Sequence, residues 1–174
     1  MRKQKRGHYL LVDGYNIIHA SDELKSLAEA SLELSRDKLI HILQNYQGLR
    51  KYEIIVVFDA HLVKNSLGEI LNCGNLTVIY TREAETADNY IERASREMAA
   101  EYDVTVATSD GLEQIIITGS GARIMSAREL LADIKDAELF IKEKLEAIRP
   151  IKNNQLLDNL DGDVLETLEM MRRS

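Results

Sequence analysis

Short apolar runs recur along the chain, and several of them stop on an acid. Tyr9-Leu10-Leu11-Val12 stops at Asp13, Ile54-Ile55-Val56-Val57-Phe58 stops at Asp59, and Val104 to Thr108 passes through Ser109 to Asp110. Runs of four to eight apolar residues bounded by turn signals read as buried strands. Leu76 to Thr81 and the short Arg123 to Met125 complete the set, the latter as an edge strand. Between them the period changes to that of a helix. Leu32, Leu39, Ile42, Leu43, Tyr46 and Leu49 share one face of a helix reaching about Gly48, with Arg36, Asp37, Lys38 and His41 on the other. Ser21 to Ala30 begins a helix before it. Thr86 is a predicted N-cap, followed by a stripe of Ile91, Ala94, Met98 and Tyr102. Leu112 to Ile117 forms a short helix, and Gly119-Ser120-Gly121 a turn. Ser126-Ala127-Arg128-Glu129 is a capping box that opens a helix to about Ala147, which Pro150 is expected to stop.

Strands alternating with helices indicate an α/β fold, a Rossmann-like three-layer α/β/α arrangement with a mostly parallel central sheet. Gly14-Tyr15-Asn16 reads as the turn after the first strand. Ala60 to Asn75 reads as a long connection, a substrate-facing flap whose His61 and Lys64 are within reach of phosphates. The expected organisation is a basic tail over residues 1–8, one domain over 9–149 and a helical extension over 150–174, with Leu160, Val164, Leu168 and Met171 on one face.

Composition narrows the class. An apolar fraction of 45% over 174 residues supports a substantial core, and the near-ordinary charged fraction of 29% argues against wholesale disorder. With a single cysteine, Cys73, there is no internal disulfide and no cysteine zinc site, which suits a reducing cytoplasm. The basic start is followed by too short an apolar run for a signal core, and no segment approaches the ~20 apolar residues of a membrane helix. A soluble cytoplasmic protein is expected. The net charge of −7 argues against holding nucleic acid by bulk electrostatics, but acids gathered at a metal site also inflate a negative count.

The acids themselves carry the chemistry. In an open parallel sheet, ligands gather outside the carboxyl ends of the strands. Asp13, Asp59, Asp88 and Asp110 all belong to that edge, with Glu85 nearby. A single aspartate there is ordinarily a cap or turn former, and Thr108-Ser109-Asp110 alone reads equally well as a cap. Several carboxylates sharing one crevice must take up protons or bind a cation. All-oxygen donors suit Mg²⁺ or Mn²⁺, which points to metal-assisted phosphodiester hydrolysis. Asn16 either orients a water or phosphate or stabilises its turn. Arg82 either meets phosphate charge or pairs with Glu85 on the surface.

Five motifs in order, Val-Asp-Gly-Tyr-Asn at 12–16, Val-Phe-Asp-Ala at 57–60, Glu-Thr-Ala-Asp at 85–88, Ala-Thr-Ser-Asp at 107–110 and Ser-Ala-Arg-Glu-Leu at 126–130, resemble the NYN domain in its bacterial YacP-like branch. The resemblance spans about Tyr9 to Ala147 and leaves the basic tail and the segment after Pro150 outside it. It implies a PIN-like fold and a metal-dependent ribonuclease site. By that resemblance Asp13, Asp88 and Asp110 match the metal-binding acids and Asn16 matches the motif's asparagine. Asp59 and Glu85 match acids beside the site. It further implies endonucleolytic cleavage of messenger RNA in the context of translating ribosomes. The 60–75 connection is poor in basic residues for a protein that grips RNA, and Gly111 stands where a bulkier side chain is usual.

Three rivals compete. A receiver module wants adjacent acids at its first strand end, and Val12 and Gly14 flank Asp13. An aspartyl-phosphate phosphatase wants a second aspartate two residues on, where Tyr15 stands. A catalytically silent NYN module that binds RNA or a protein is the third.

Overall fold

In the computed structural model, six strands among the described residues form one sheet in the order β3-β4-β2-β1-β5-β6. The structure describes residues 7–59, 68–82 and 84–158. The strands are β1 (His8–Asp13), β2 (Glu53–Phe58), β3 (Glu69–Cys73), β4 (Leu76–Tyr80), β5 (Asp103–Ala107) and β6 (Arg123–Met125). All pairings are parallel except β3 with β4. The expected mixed, mostly parallel α/β sheet is therefore the observed one.

Side chains alternate across a strand, so each central strand feeds two cores. Leu11, Val57, Ile79, Val104 and Val106 point to one face, where α4 (Ala87–Met98) and α5 (Gly111–Thr118) cover them through Ala87, Ile91 and Ile117. Ala94, Met98 and Tyr102 pack at the rim of that cluster, as the stripe predicts. The alternate set, Leu10, Val12, Ile54, Val56 and Phe58, is buried on the opposite face, that of α1 (Gly14–Ala20) and α3 (Leu32–Arg50). Between those helices α2 (Asp22–Ala30) is capped by Ser21, and α3 by Ser31. Buried Ser35 donates to the Leu24 carbonyl at 2.8 Å and ties α3 to α2. Tyr46 of α3 hydrogen-bonds Asp133 of α6 (Ala127–Asp158), which Arg50 also grips. The Ser126–Glu129 capping box forms reciprocally, at 2.7 and 3.2 Å.

Three expectations need correction. Residues 14–16 are not a turn: β1 runs straight into α1, because Asp13 is both the last strand residue and the helix cap. The connection before Asn75 is not featureless: Glu69–Cys73 is an antiparallel strand, joined to β4 through Gly74 (φ +71°) and Asn75. Gly-Asn between two strands is a hairpin signal. Pro150 does not stop the last helix, which continues to Asp158. A proline deletes one backbone hydrogen bond, a local cost that a long helix entered through the good formers Leu145, Glu146, Ala147 and Arg149 can absorb. The basic tail to Arg6, residues 60–67 with His61 and Lys64, and the amphipathic run beyond Asp158 lie outside the described residues.

The chain divides into two compact units between Lys135 and Asp136. In the second, the helix leaves Leu139, Phe140 and Leu145 exposed, and Lys144 lies over the Phe140 ring at 4.5 Å. Among the described residues no helix is long and apolar enough to cross a membrane.

Candidate functional site

Strand order reverses at β1: the chain builds outward through β2 and β4, then returns to place β5 on the other side. The crevice beyond the carboxyl ends of β1 and β5 is thus the sheet's switch point, where such folds bind ligands. Asp13 ends β1, and Asp110 follows β5 by three residues. Asp88 arrives from a third direction, in the first turn of α4.

Asp13 is 8% exposed, and its Oδ1 accepts the Asn16 backbone N–H at 3.1 Å. Burial, and then the neighbouring Asp88, outweigh that bond and push its pKa up to about 6. The two carboxyls share a hydrogen bond that favours the proton on Asp13 and the charge on Asp88. The pKa of Asp88 is also raised, first by burial and then by the charges of Asp110 and Asp59. Asp13, Asp88, Asp110 and Asp59 therefore lie within electrostatic range of one another, as their positions at one edge of the sheet lead one to expect. Among the described residues no three His, Cys, Asp or Glu side chains are gathered tightly enough to hold a metal ion by themselves.

The connection carrying Asp110 is fastened from several sides. Asn16 Oδ1 accepts the Ser109 N–H at 2.8 Å, across from α1. Ser109 Oγ accepts the Ala127 N–H at 3.0 Å and so secures the start of α6. The Thr108 hydroxyl accepts the Asp110 N–H at 3.2 Å, and Asp110 Oδ1 accepts the Leu112 N–H at 2.8 Å. Gln114 closes the turn on the Thr108 carbonyl at 2.8 Å. Asn16 thus fixes the Asp110 loop rather than merely its own helix, and the capping role foreseen for Thr108-Ser109-Asp110 is real.

Glu85 is held by Arg93 at 2.9 Å, so the pairing with Glu85, one of the two roles open to Arg82, is not the contact seen. Arg82 is exposed. Beside the acids lies a group that periodicity did not flag. Arg36 of α3 donates to the Tyr15 hydroxyl at 3.0 Å and also hydrogen-bonds Tyr80. Burial raises both phenol pKa values and Arg36 pulls them back. Phe58 sits between the two rings, edge-on to Tyr15 and stacked on Tyr80. The available signal was a tyrosine just past one strand end and another closing a second.

Comparison with known proteins gives one consistent picture. The family model of the YacP-like NYN domain matches residues 10–173, well beyond the Tyr9 to Ala147 stretch that carries the motifs. The chain is 42% identical to the uncharacterized protein YacP of Bacillus subtilis (strain 168) over 165 residues, covering 94% of this chain and 96% of that one. It resembles the crystal structure of Rae1 (YacP) from Bacillus subtilis with a TM-score of 0.70 at 40% identity, covering 95% of both chains. A mutant of that protein matches with a TM-score of 0.69 over 81% of this chain and 82% of that one.

Proposed function

The chain belongs to the YacP-like NYN domain family, related to nucleases and PIN-like in fold, and on that premise we propose that it is a divalent-metal-dependent endoribonuclease. The observation that carries this reading is the hydrogen-bonded carboxyl pair of Asp13 and Asp88, set within electrostatic range of Asp110 and Asp59. Burial and neighbouring acids hold the pKa values of both carboxyls above the ordinary carboxylate range, and a divalent cation is what relieves the repulsion between them. Their all-oxygen donors fit Mg²⁺ or Mn²⁺, which keep several waters and need only a few carboxylates plus a substrate phosphate. Asp13, Asp88 and Asp110 would hold the ion jointly with waters and a substrate phosphate, because the three side chains are not gathered tightly enough to do so alone. When bound, it supplies positive charge against the scissile phosphate and lowers the pKa of water.

The chain's own groups do the rest. Asp13 is fixed by its strand and its cap. Asn16 holds the Asp110 loop with its carbonyl oxygen, which leaves its amide NH₂ to donate to a phosphate oxygen or water. Ser109 supports that loop, Asp59 and Glu85 shape the field around the acids, and Arg82 meets backbone phosphate. The substrate is RNA, messenger RNA engaged with ribosomes being the narrower proposal, and the compartment is the cytoplasm.

Labelled single-stranded RNA incubated with Mn²⁺, Mg²⁺ or chelator and resolved on a gel tests the reading. Cleavage is expected with metal only, and lost by at least about a hundredfold in Asp110→Asn, which keeps the cap oxygen for Leu112. Normal cutting by Asp110→Asn overturns the assignment. The rival, a silent module that binds RNA or a protein, draws on the engagement of Asn16 Oδ1, Ser109 Oγ and Asp110 Oδ1 with backbone amides. On the same gel it gives RNA binding without cleavage under every metal.

A further inference from the structure

A second concavity, of about 260 Å³, opens on the α4 face of the sheet at the β3–β4 edge. Its walls are Gly68, Tyr80, Arg82, Glu85, Tyr90 and Arg93. The floor is apolar: Ile79 is buried, and Ile70 on β3 is 64% exposed. Two cations face one carboxylate here, in a chain whose net charge is −7. Glu85 is engaged by Arg93 at 2.9 Å, and the Arg93 guanidinium lies over the Tyr90 ring at 5.2 Å. The Arg93 guanidinium thus lies over the phenol ring and is itself about half-exposed.

Arg82 has space made for it. Gly68 adopts φ +80°, and a Cβ there would stand 2.7 Å from Arg82 Cγ and 3.4 Å from Nε. The missing side chain is what lets the Arg82 stem lie along the cleft. The cleft and the acid crevice are joined by the segment from Thr81 to Asp88, which begins in one and ends in the other. In the sheet, β4 stands two strands from β1, about 10 Å away. A polynucleotide covers that distance in a step or two.

We propose that this cleft is a nucleotide subsite: a base of single-stranded RNA stacks on the Arg93–Tyr90 layer while Arg82 binds the adjoining phosphate, which leads the strand across the acid crevice. Planar guanidinium and aromatic faces accept any base, so the subsite fixes the strand's path without reading its sequence. It also supplies a local cationic grip that the chain's overall charge lacks. The subsite rests on the ribonuclease reading for its purpose, though its binding is measurable without cleavage.

The test uses the full chain in EDTA with a fluorescein-labelled single-stranded RNA oligonucleotide, followed by anisotropy, beside Arg82→Gln and Tyr90→Leu. Each substitution is expected to weaken binding about tenfold. An oligonucleotide with abasic sites at every interior position should bind the parent and Tyr90→Leu alike, while still discriminating against Arg82→Gln. Because Tyr90 also packs at the rim of the core, Arg82→Gln, a surface change, guards against a folding artefact. Parent-like affinity in both variants, or no RNA binding by the parent, overturns the subsite. If the variants lose affinity but the parent never cleaves with Mn²⁺, the nuclease reading falls and the subsite stands. If the parent cleaves and both variants keep its Kd and KM, the reverse holds.

Discussion

Asp13 and Asp88, 75 positions apart in the chain, share one hydrogen bond between their carboxyl groups. One belongs to the strand at the centre of the sheet and the other to the helix that covers it. Folding itself therefore brings together two groups that repel when both are ionised.

Burial of the Asp13 carboxyl, with the repulsion from Asp88 added to it, gives stability a definite pH dependence when chelator is present. Asp13 titrates near 6 in the folded chain against an ordinary 3.8, so between those values the folded state holds a proton that the unfolded chain has released. Stability is then fully present below about pH 4 and falls as pH rises toward 6. Two pKa units correspond to roughly 3 kcal/mol. Denaturant titrations in EDTA at a series of pH values should show this loss, and Asp13→Asn, which keeps an oxygen for the Asn16 N–H, should flatten it. Mg²⁺ should raise Tm more at pH 7.5 than at pH 5. An Asp13→Asn profile parallel to that of the parent would rule the account out.

Asn16 should fail differently from the acids. Its Oδ1 is a structural acceptor for Ser109, so Asn16→Ala is expected to cost about 1 kcal/mol of stability. It should also slow cleavage, because the loop bearing Asp110 loses its tie to α1. Asp110→Asn should slow cleavage with no loss of Tm. Thermal melts set beside initial rates separate the two; an Asn16→Ala protein as stable as the parent would contradict the tie.

Gly14 is predicted to be irreplaceable for a packing reason. A Cβ there would come within 2.2 Å of the Phe58 ring, which is fully buried between Tyr15 and Tyr80. Gly14→Ala should destabilise by about 1–3 kcal/mol or more, and by clearly less in a Phe58→Leu background. Equal penalties in both backgrounds, from a double-mutant cycle, would point to the backbone instead.

The buried strands were legible because β1, β2, β4 and β5 are continuous apolar runs, and the acids at their ends followed from topology. β3 escaped notice because Glu69 and Asn72 make it polar and exposed, so only the Gly74-Asn75 turn marked it. α1 escaped because a glycine directly after a strand reads as a turn, whereas here Asp13 caps a helix with no spacer. The union of Arg36 with Tyr15 and Tyr80 joins three different elements, and no local periodicity encodes a contact of that kind. The identity of Glu85's partner was equally a matter of geometry: Arg82 is nearer in the chain, but Arg93 is two helical turns further along α4.

The direct passage from β1 into α1 has a mechanical consequence. With strand, cap and helix meeting in a single residue, the carboxyl of Asp13 has no hinge and inherits the stiffness of the sheet. The crevice thus has one immovable jaw, and any adjustment to an incoming strand falls to the short arm from Thr108 to Gly111, whose stance Asn16 sets from the fixed side.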